Sequence, residues 1–97
     1  GLGMRKLDKV VGVFRAEKLL DGLEFVTMWA ESAEQIAALR ERVKGVTRFH
    51  VRPTDFTRTI VPFDRIECDG EIYTILAAKQ VSPGNRQLIE LEAVGHE

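Results

Sequence analysis

Two stretches of alternating apolar and polar residues organise this chain. Over 46–52, Thr47, Phe49 and Val51 point one way and Val46, Arg48, His50 and Arg52 the other, the period of a β-strand; Pro53 ends it. Over 66–94, apolar runs are divided by Asp69-Gly70 and by Ser82-Pro83-Gly84-Asn85. Asp-Gly between two alternating runs predicts a two-residue type I′ hairpin, whose central residues both need φ > 0. That turn sets Ile66 opposite Tyr73 and Cys68 opposite Glu71. Pro83-Gly84-Asn85 reverses the chain again, so the last third reads as a three-strand antiparallel meander.

Upstream, 9–15 (Lys-Val-Val-Gly-Val-Phe-Arg) and 25–31 (Phe-Val-Thr-Met-Trp-Ala-Glu) are β-branched and aromatic. Asp21-Gly22 between them suggests that these two strands pair as an antiparallel hairpin. Gly12 suggests a bend or a close backbone approach. The segment 33–44 has a different pattern. Ser32 with Gln35 forms a capping box, and good helix formers follow. Ile36, Leu39 and Val43 make an apolar stripe at helical spacing. Glu34 sits in the first turn and Arg40, Arg42 and Lys44 in the last turns, as the helix dipole favours. Gly45 stands where a left-handed C-cap is expected. The prediction is an amphipathic helix whose charged side, including Glu41, is either solvated or an interaction face. Residues 54–63 are polar, contain Pro62, and read as a long loop with an extended middle at Thr59-Ile60-Val61.

The expected fold class is therefore mainly β: a small antiparallel β-barrel or bent sheet of about six strands, with one α-helix (33–44) inserted between strands 2 and 3. The chain is 97 residues long, which suits a single domain with one core. Gly1-Leu2-Gly3 ahead of Met4 reads as a vector-derived remnant, leaving 4–97 as the domain.

Charge and composition narrow the function. Hydrophobic residues make up 44% and charged residues 30%, as in a folded soluble protein, and the net charge of −1 gives no global field to recruit nucleic acid or an acidic membrane. No apolar run reaches the roughly 20 residues that a spanning helix needs. Cys68 is the one cysteine. With Glu67 and Asp69 beside it, it reads as a small, half-buried strand residue and not as a reactive thiol.

Catalytic candidates are sparse. His50 and His96 are far apart with no acidic partner at metal-ligand spacing. Glu90 and Glu92 lie opposite Ile89, Leu91 and Ala93, so alternation accounts for them as a solvated strand face and not as an acid/base pair. There is no Gly-rich phosphate loop and no serine nucleophile elbow. The expectation is no enzyme, no metal, no cofactor and no small-molecule substrate. Arg48, His50 and Arg52, with Arg58, form the one basic concentration. They suit phosphates of nucleic acid or an acidic partner surface, or else a solvated strand face balanced by Glu90 and Glu92. The aromatic side chains that a single-strand reader interleaves with its basic groups are missing there. Trp29 and Tyr73 are the large anchors of the core or its rim, with polar atoms that want partners if buried.

Four segments in order carry a resemblance. Val26-Thr27-Met28-Trp29-Ala30-Glu31 is like V-x-x-W-A-E, and Val46-Thr47-Arg48-Phe49-His50-Val51-Arg52 is like V-T-H-x-I-x-I-R. The run Arg65-Ile66-Glu67-Cys68-Asp69-Gly70-Glu71-Ile72-Tyr73-Thr74-Ile75 is like R-I-x-Y-D-G-x-x-Y-x-I, and Leu88-Ile89-Glu90-Leu91-Glu92 is like L-x-L-x-x. In this order, over roughly 6–94, the chain resembles the head–tail adaptor (head-closure, or stopper) proteins of long-tailed double-stranded DNA bacteriophages and prophages. Cys68 stands where an aromatic is usual, and no Leu-Ser-Gly-type stretch follows Glu31.

The resemblance implies a non-enzymatic virion protein at the head–tail junction, present in the host bacterial cytoplasm during assembly. It would form a ring of about twelve copies beneath the portal and adaptor rings, near the packaged DNA, closing the channel and offering a docking surface to the tail. The partners implied are other copies of itself, portal or adaptor proteins and a tail-completion protein, with no membrane. In isolation the chain would be a monomer until a portal platform gathers it. Candidate contacts are Glu34, Arg40, Glu41, Arg42 and Lys44 of the helix, and Thr54, Asp55, Phe56, Thr57 and Arg58 of the loop, which would stay mobile until docked. The rival readings are a neck or tail-completion protein bound to the tail tube, and a small-barrel nucleic-acid-binding module using Arg48, His50 and Arg52.

Overall fold

The computed structural model describes residues 6–14, 16–18, 25–27 and 34–95. Eight strands run through them: β1 (Lys9–Phe14), β2 (Ala16–Lys18), β3 (Phe25–Thr27), β4 (Glu34–Val43), β5 (Val46–Val51), β6 (Arg65–Cys68), β7 (Glu71–Val81) and β8 (Leu88–Gly95). Six of them close into an antiparallel barrel in the order β1-β4-β5-β8-β7-β6, and β2 and β3 form a separate two-stranded sheet. Closure leaves the barrel with no free edge, which disposes of the unpaired N–H and C=O groups of an open sheet.

The Asp69-Gly70 hairpin has the expected register, with Ile66 opposite Tyr73 and Cys68 opposite Glu71. Both turn residues have positive φ, 53° and 81°, as a type I′ turn requires. The second reversal is a short 3₁₀ turn at Pro83–Asn85, which returns the chain so that Val81 faces Leu88. The meander thus supplies three neighbouring staves, β6, β7 and β8. β7 bulges between Ile75 and Ala77, leaving Leu76 as the extra residue.

Three expectations are corrected. The segment 33–44 is not a helix: from Glu34 to Val43 it is β4, paired with β1 on one side and β5 on the other. Ile36, Ala38 and Arg40 take the inward positions that alternation assigns. Gly45 does have a left-handed φ, 82°, and Lys44 before it has 51°, so the pair is a second two-residue hairpin joining β4 to β5 and not a helix cap. The strand over 9–15 does not pair with the one over 25–31. β1 lies between β4 and β6, while β3 pairs with β2. Met28 to Glu31, with Trp29, lie outside the described residues, as do Ser32 and the Asp21-Gly22 turn. Thr59 is not extended but closes a 3₁₀ turn over Thr57–Thr59. The barrel does hold six strands, but β4 is one of them and β3 is not.

The core fills the barrel from all six staves, with Val11 and Val13 of β1, Phe49 and Val51 of β5, and Ile75, Leu91 and Ala93 of β7 and β8 fully buried. Phe49 and Tyr73 meet edge to face, 5.2 Å between ring centres, the geometry their quadrupoles favour.

Candidate assembly surface

Three places gather the side chains singled out above. The first is the barrel mouth beside the 69–70 turn. The inward parity of β4 carries Arg40 into this mouth, where its Nη1 donates to Cys68 Sγ at 3.6 Å and lies 3.3 Å from Asp69 Oδ2. Lys9 Nζ reaches the same carboxylate at 3.5 Å. Next to it, Glu71 Oε2 accepts the Tyr73 hydroxyl at 2.8 Å and lies 3.7 Å from Arg42 Nη2. Burial pulls the Arg40 pKa down, but Cys68, Tyr73 and Asp69 outweigh it and the guanidinium stands above its ordinary value. Burial pushes the Cys68 thiol up against the opposing pull of Arg40. Burial, then the bond to Glu71, pushes the Tyr73 hydroxyl up as well. Cys68 is therefore held as a neutral, enclosed thiol, the opposite of an activated nucleophile. Arg40 is half-buried at this mouth and Arg42 exposed beside it, and neither is a member of a charged helix face.

The second place is the outer face of β5, β8 and β7. His50 is 1% exposed. Its Nε2 lies 3.1 Å from Glu90 Oε1, and Lys79 Nζ lies 3.2 Å from Glu90 Oε2. An ionised carboxylate can only accept, so Nε2 is the donor to Glu90, and the buried Nδ1 has no hydrogen-bond partner among the described residues. Glu92 lies 3.9 Å from Arg48 and 3.7 Å from Lys79. The register explains this: β5 and β8 set Arg48 opposite Glu92 and His50 opposite Glu90. On this face the basic groups are thus interleaved with carboxylates, while Arg52, just past β5, and Arg58 of the following loop stay exposed. A phosphate backbone would have to displace Glu90 and Glu92 to use this face.

The third place is the loop between β5 and β6, pinned at both ends. Thr57 Oγ1 donates to Arg52 O at 2.7 Å and accepts the Thr54 N–H at 2.7 Å. Thr54 Oγ1 in turn accepts the Thr57 N–H at 3.0 Å. Phe56 packs on the core and Ile60 enters it. Asp55 and Arg58, 3.8 Å apart, stay on the surface. At the far end Asp64 Oδ2 accepts the Val61 N–H at 3.0 Å, the Phe63 N–H donates to Ile75 O at 2.8 Å, and the Ile75 N–H donates to Asp64 O at 2.8 Å.

Between these anchors the loop turns two apolar side chains outward, and β7 adds a third beside them. Phe63 is 71% exposed, and Val61 and the bulged Leu76 are each 47% exposed. Phe63 has φ = 75°, a region that costs a bulky residue about 1–3 kcal/mol. The sequence reading placed Val61 in the extended middle of the loop and did not single out Phe63 or Leu76. The signal for Phe63 was the run Ile60-Val61-Pro62-Phe63, apolar within a polar loop. Of the other contact candidates, Glu34 is exposed at the start of β4, Glu41 is half-buried opposite Arg48, and Lys44 is exposed in its turn. The structure therefore scatters the set over three places and does not join it into one face.

No protein-family model matches the chain, and searches of curated proteins and of solved structures find no similar chain.

Proposed function

We propose that this chain is a non-enzymatic structural subunit of a bacteriophage head–tail connector, one copy of a ring below the portal and adaptor that closes the DNA channel and offers the tail a docking surface. The ordered resemblance over roughly 6–94 motivates the reading. One structural observation supports it best: a closed barrel bears a loop bonded down at both ends that still turns Val61 and Phe63 to solvent. A connector subunit needs a rigid spacer with preset contacts, because pre-organised loops lose less entropy on docking. The polar mouth and the interleaved charges on β5 and β8 suit a wall that neither gathers free nucleic acid nor repels it.

The test is electron microscopy of particles assembled with and without this protein. Particles lacking it should lose packaged DNA and fail to join tails. Filled, tailed particles in its absence would remove the reading. Co-purification with tail-tube protein instead of portal protein would move the subunit to the tail side of the junction.

A further inference from the structure

We propose that Asp69-Gly70 is a site of spontaneous covalent modification, the isomerisation of aspartate to isoaspartate, and that Lys9 and Arg40 restrain it by holding the Asp69 carboxylate. Three observations meet at this turn. Gly70 has no side chain to shield its nitrogen, and a Cβ built there meets nothing within 4 Å. Asp69 and Gly70 are both exposed, the aspartate side chain by 55%. The carboxylate nevertheless has fixed partners: Oδ2 lies 3.3 Å from Arg40 Nη1 and 3.5 Å from Lys9 Nζ. Those cations stand on β4 and β1, so one oxygen ties the turn to two strands outside its own hairpin.

In the reaction the Gly70 nitrogen attacks the side-chain carboxyl carbon of Asp69. The new C–N bond closes a five-membered succinimide, and the amide proton, a solvent proton and one carboxylate oxygen leave as water. Water then adds at one of the two ring carbonyls, and a proton returns to solvent. Opening at the side-chain carbonyl restores aspartate. Opening at the main-chain carbonyl leaves the chain running through the side-chain carbon, which is isoaspartate. Solvent water is the one co-reactant.

Ring closure needs the carboxylate to swing over the amide that follows it. In the folded chain that swing breaks two ion pairs and distorts a turn whose residues are set at φ values of 53° and 81°. Attack therefore proceeds from a locally opened turn, and contacts that hold the turn reduce the open population. Two partly exposed pairs together slow the reaction roughly three- to tenfold. The product does not fit the closed turn. Isoaspartate adds a carbon to the backbone of a two-residue hairpin and moves the charge off Lys9 and Arg40, which loosens the pairing of Cys68 with Glu71 beside it.

The experiment is a timed incubation of the full chain at neutral pH, below its melting transition, followed by peptide mapping with mass spectrometry that distinguishes isoaspartate from aspartate. Asp21-Gly22, the other Asp-Gly pair in the sequence, is read in the same digests. The wild type should form isoaspartate at Asp69 faster in urea than when folded. Lys9→Gln and Arg40→Gln should each speed the folded-state reaction at Asp69 about two- to fivefold. Neither should change the rate in urea or the rate at Asp21, which separates loss of the restraint from a general loosening of the fold. Added salt screens exposed pairs, so it should speed the wild type at Asp69 and leave the double variant unchanged. If Arg40→Gln does not fold, Lys9→Gln and the salt series carry the test. No isoaspartate at Asp69 in urea, or equal rates folded and in urea, would overturn the assignment. So would variants whose rate at Asp69 stays at the wild-type value or rises only in step with Asp21.

Discussion

Ala37 gives a test in which the sign of the effect separates strand from helix. In β4 it lies on the outer face, exposed, opposite Val10 of β1, which is itself 63% exposed. Replacing Ala37 with Thr puts a β-branched side chain on a pleated surface beside Val10. Strand preferences span about 1 kcal/mol, and cross-strand pairs of this kind add about 0.2–1 kcal/mol over a pair with alanine. The expected gain is about 0.5 kcal/mol, or about 2–4 °C in Tm for a domain of this size. In a helix the same change would cost about 0.7 kcal/mol, because threonine loses rotamer freedom against the preceding turn. The assay is urea unfolding, read as a rise in midpoint at unchanged m-value. A double-mutant cycle with Val10→Ala isolates the pair, and the coupling should account for a substantial part of the gain. A fall in midpoint equivalent to about 0.5 kcal/mol, with zero coupling to Val10, would refute the placement of β4 against β1.

Thr57→Val removes a buried hydroxyl that serves the Arg52 carbonyl and the Thr54 N–H, and should cost about 1–3 kcal/mol with faster amide exchange over 54–60, while Thr57→Ser retains most of the stability. Gly45→Ala and Gly70→Ala should cost about the same, roughly 1–2 kcal/mol each by urea unfolding, since their φ values are 82° and 81° and an added Cβ meets nothing within 4 Å at either. Unequal costs would show that the two hairpins are not equivalent. Stability should also fall on the alkaline side. The Cys68 pKa is raised on folding, so above the ordinary thiol pKa of about 8.5 the native state binds more protons than the unfolded chain and unfolding is favoured as pH rises. Tyr73 extends the decline above about pH 10. Cys68→Ala should flatten the first part of this curve in a pH series of thermal melts, leaving the part due to Tyr73.

What could be read from the residues alone was what neighbouring residues settle among themselves. Asp69-Gly70 fixed a hairpin and its register, because a two-residue turn with both φ positive permits few alternatives and a one-residue slip would turn Ile66 and Cys68 out of the core. The strand over 46–52 and the inward set Leu91 and Ala93 were legible for the same reason: alternation over a half-buried strand is a local signal. The left-handed bend at Gly45 was also present in the sequence, though its context was misread.

The rest depended on residues far apart in the chain. Segment 34–43 is rich in helix formers, but propensity amounts to tenths of a kcal/mol per residue. As a strand it provides ladder bonds on both sides, to β1 and β5, and closes a barrel that would otherwise expose two edges. The contact of His50 with Glu90 follows from the β5–β8 register, set by pairing across some forty residues. The outward turn of Phe63 depends on where Ile75 and the Leu76 bulge lie. Turns and alternation are short-range and belong to the sequence. Strand membership, the buried His50–Glu90 contact and exposed apolar side chains come from closing the barrel, because a strand's free energy depends on neighbours that its own sequence does not contain.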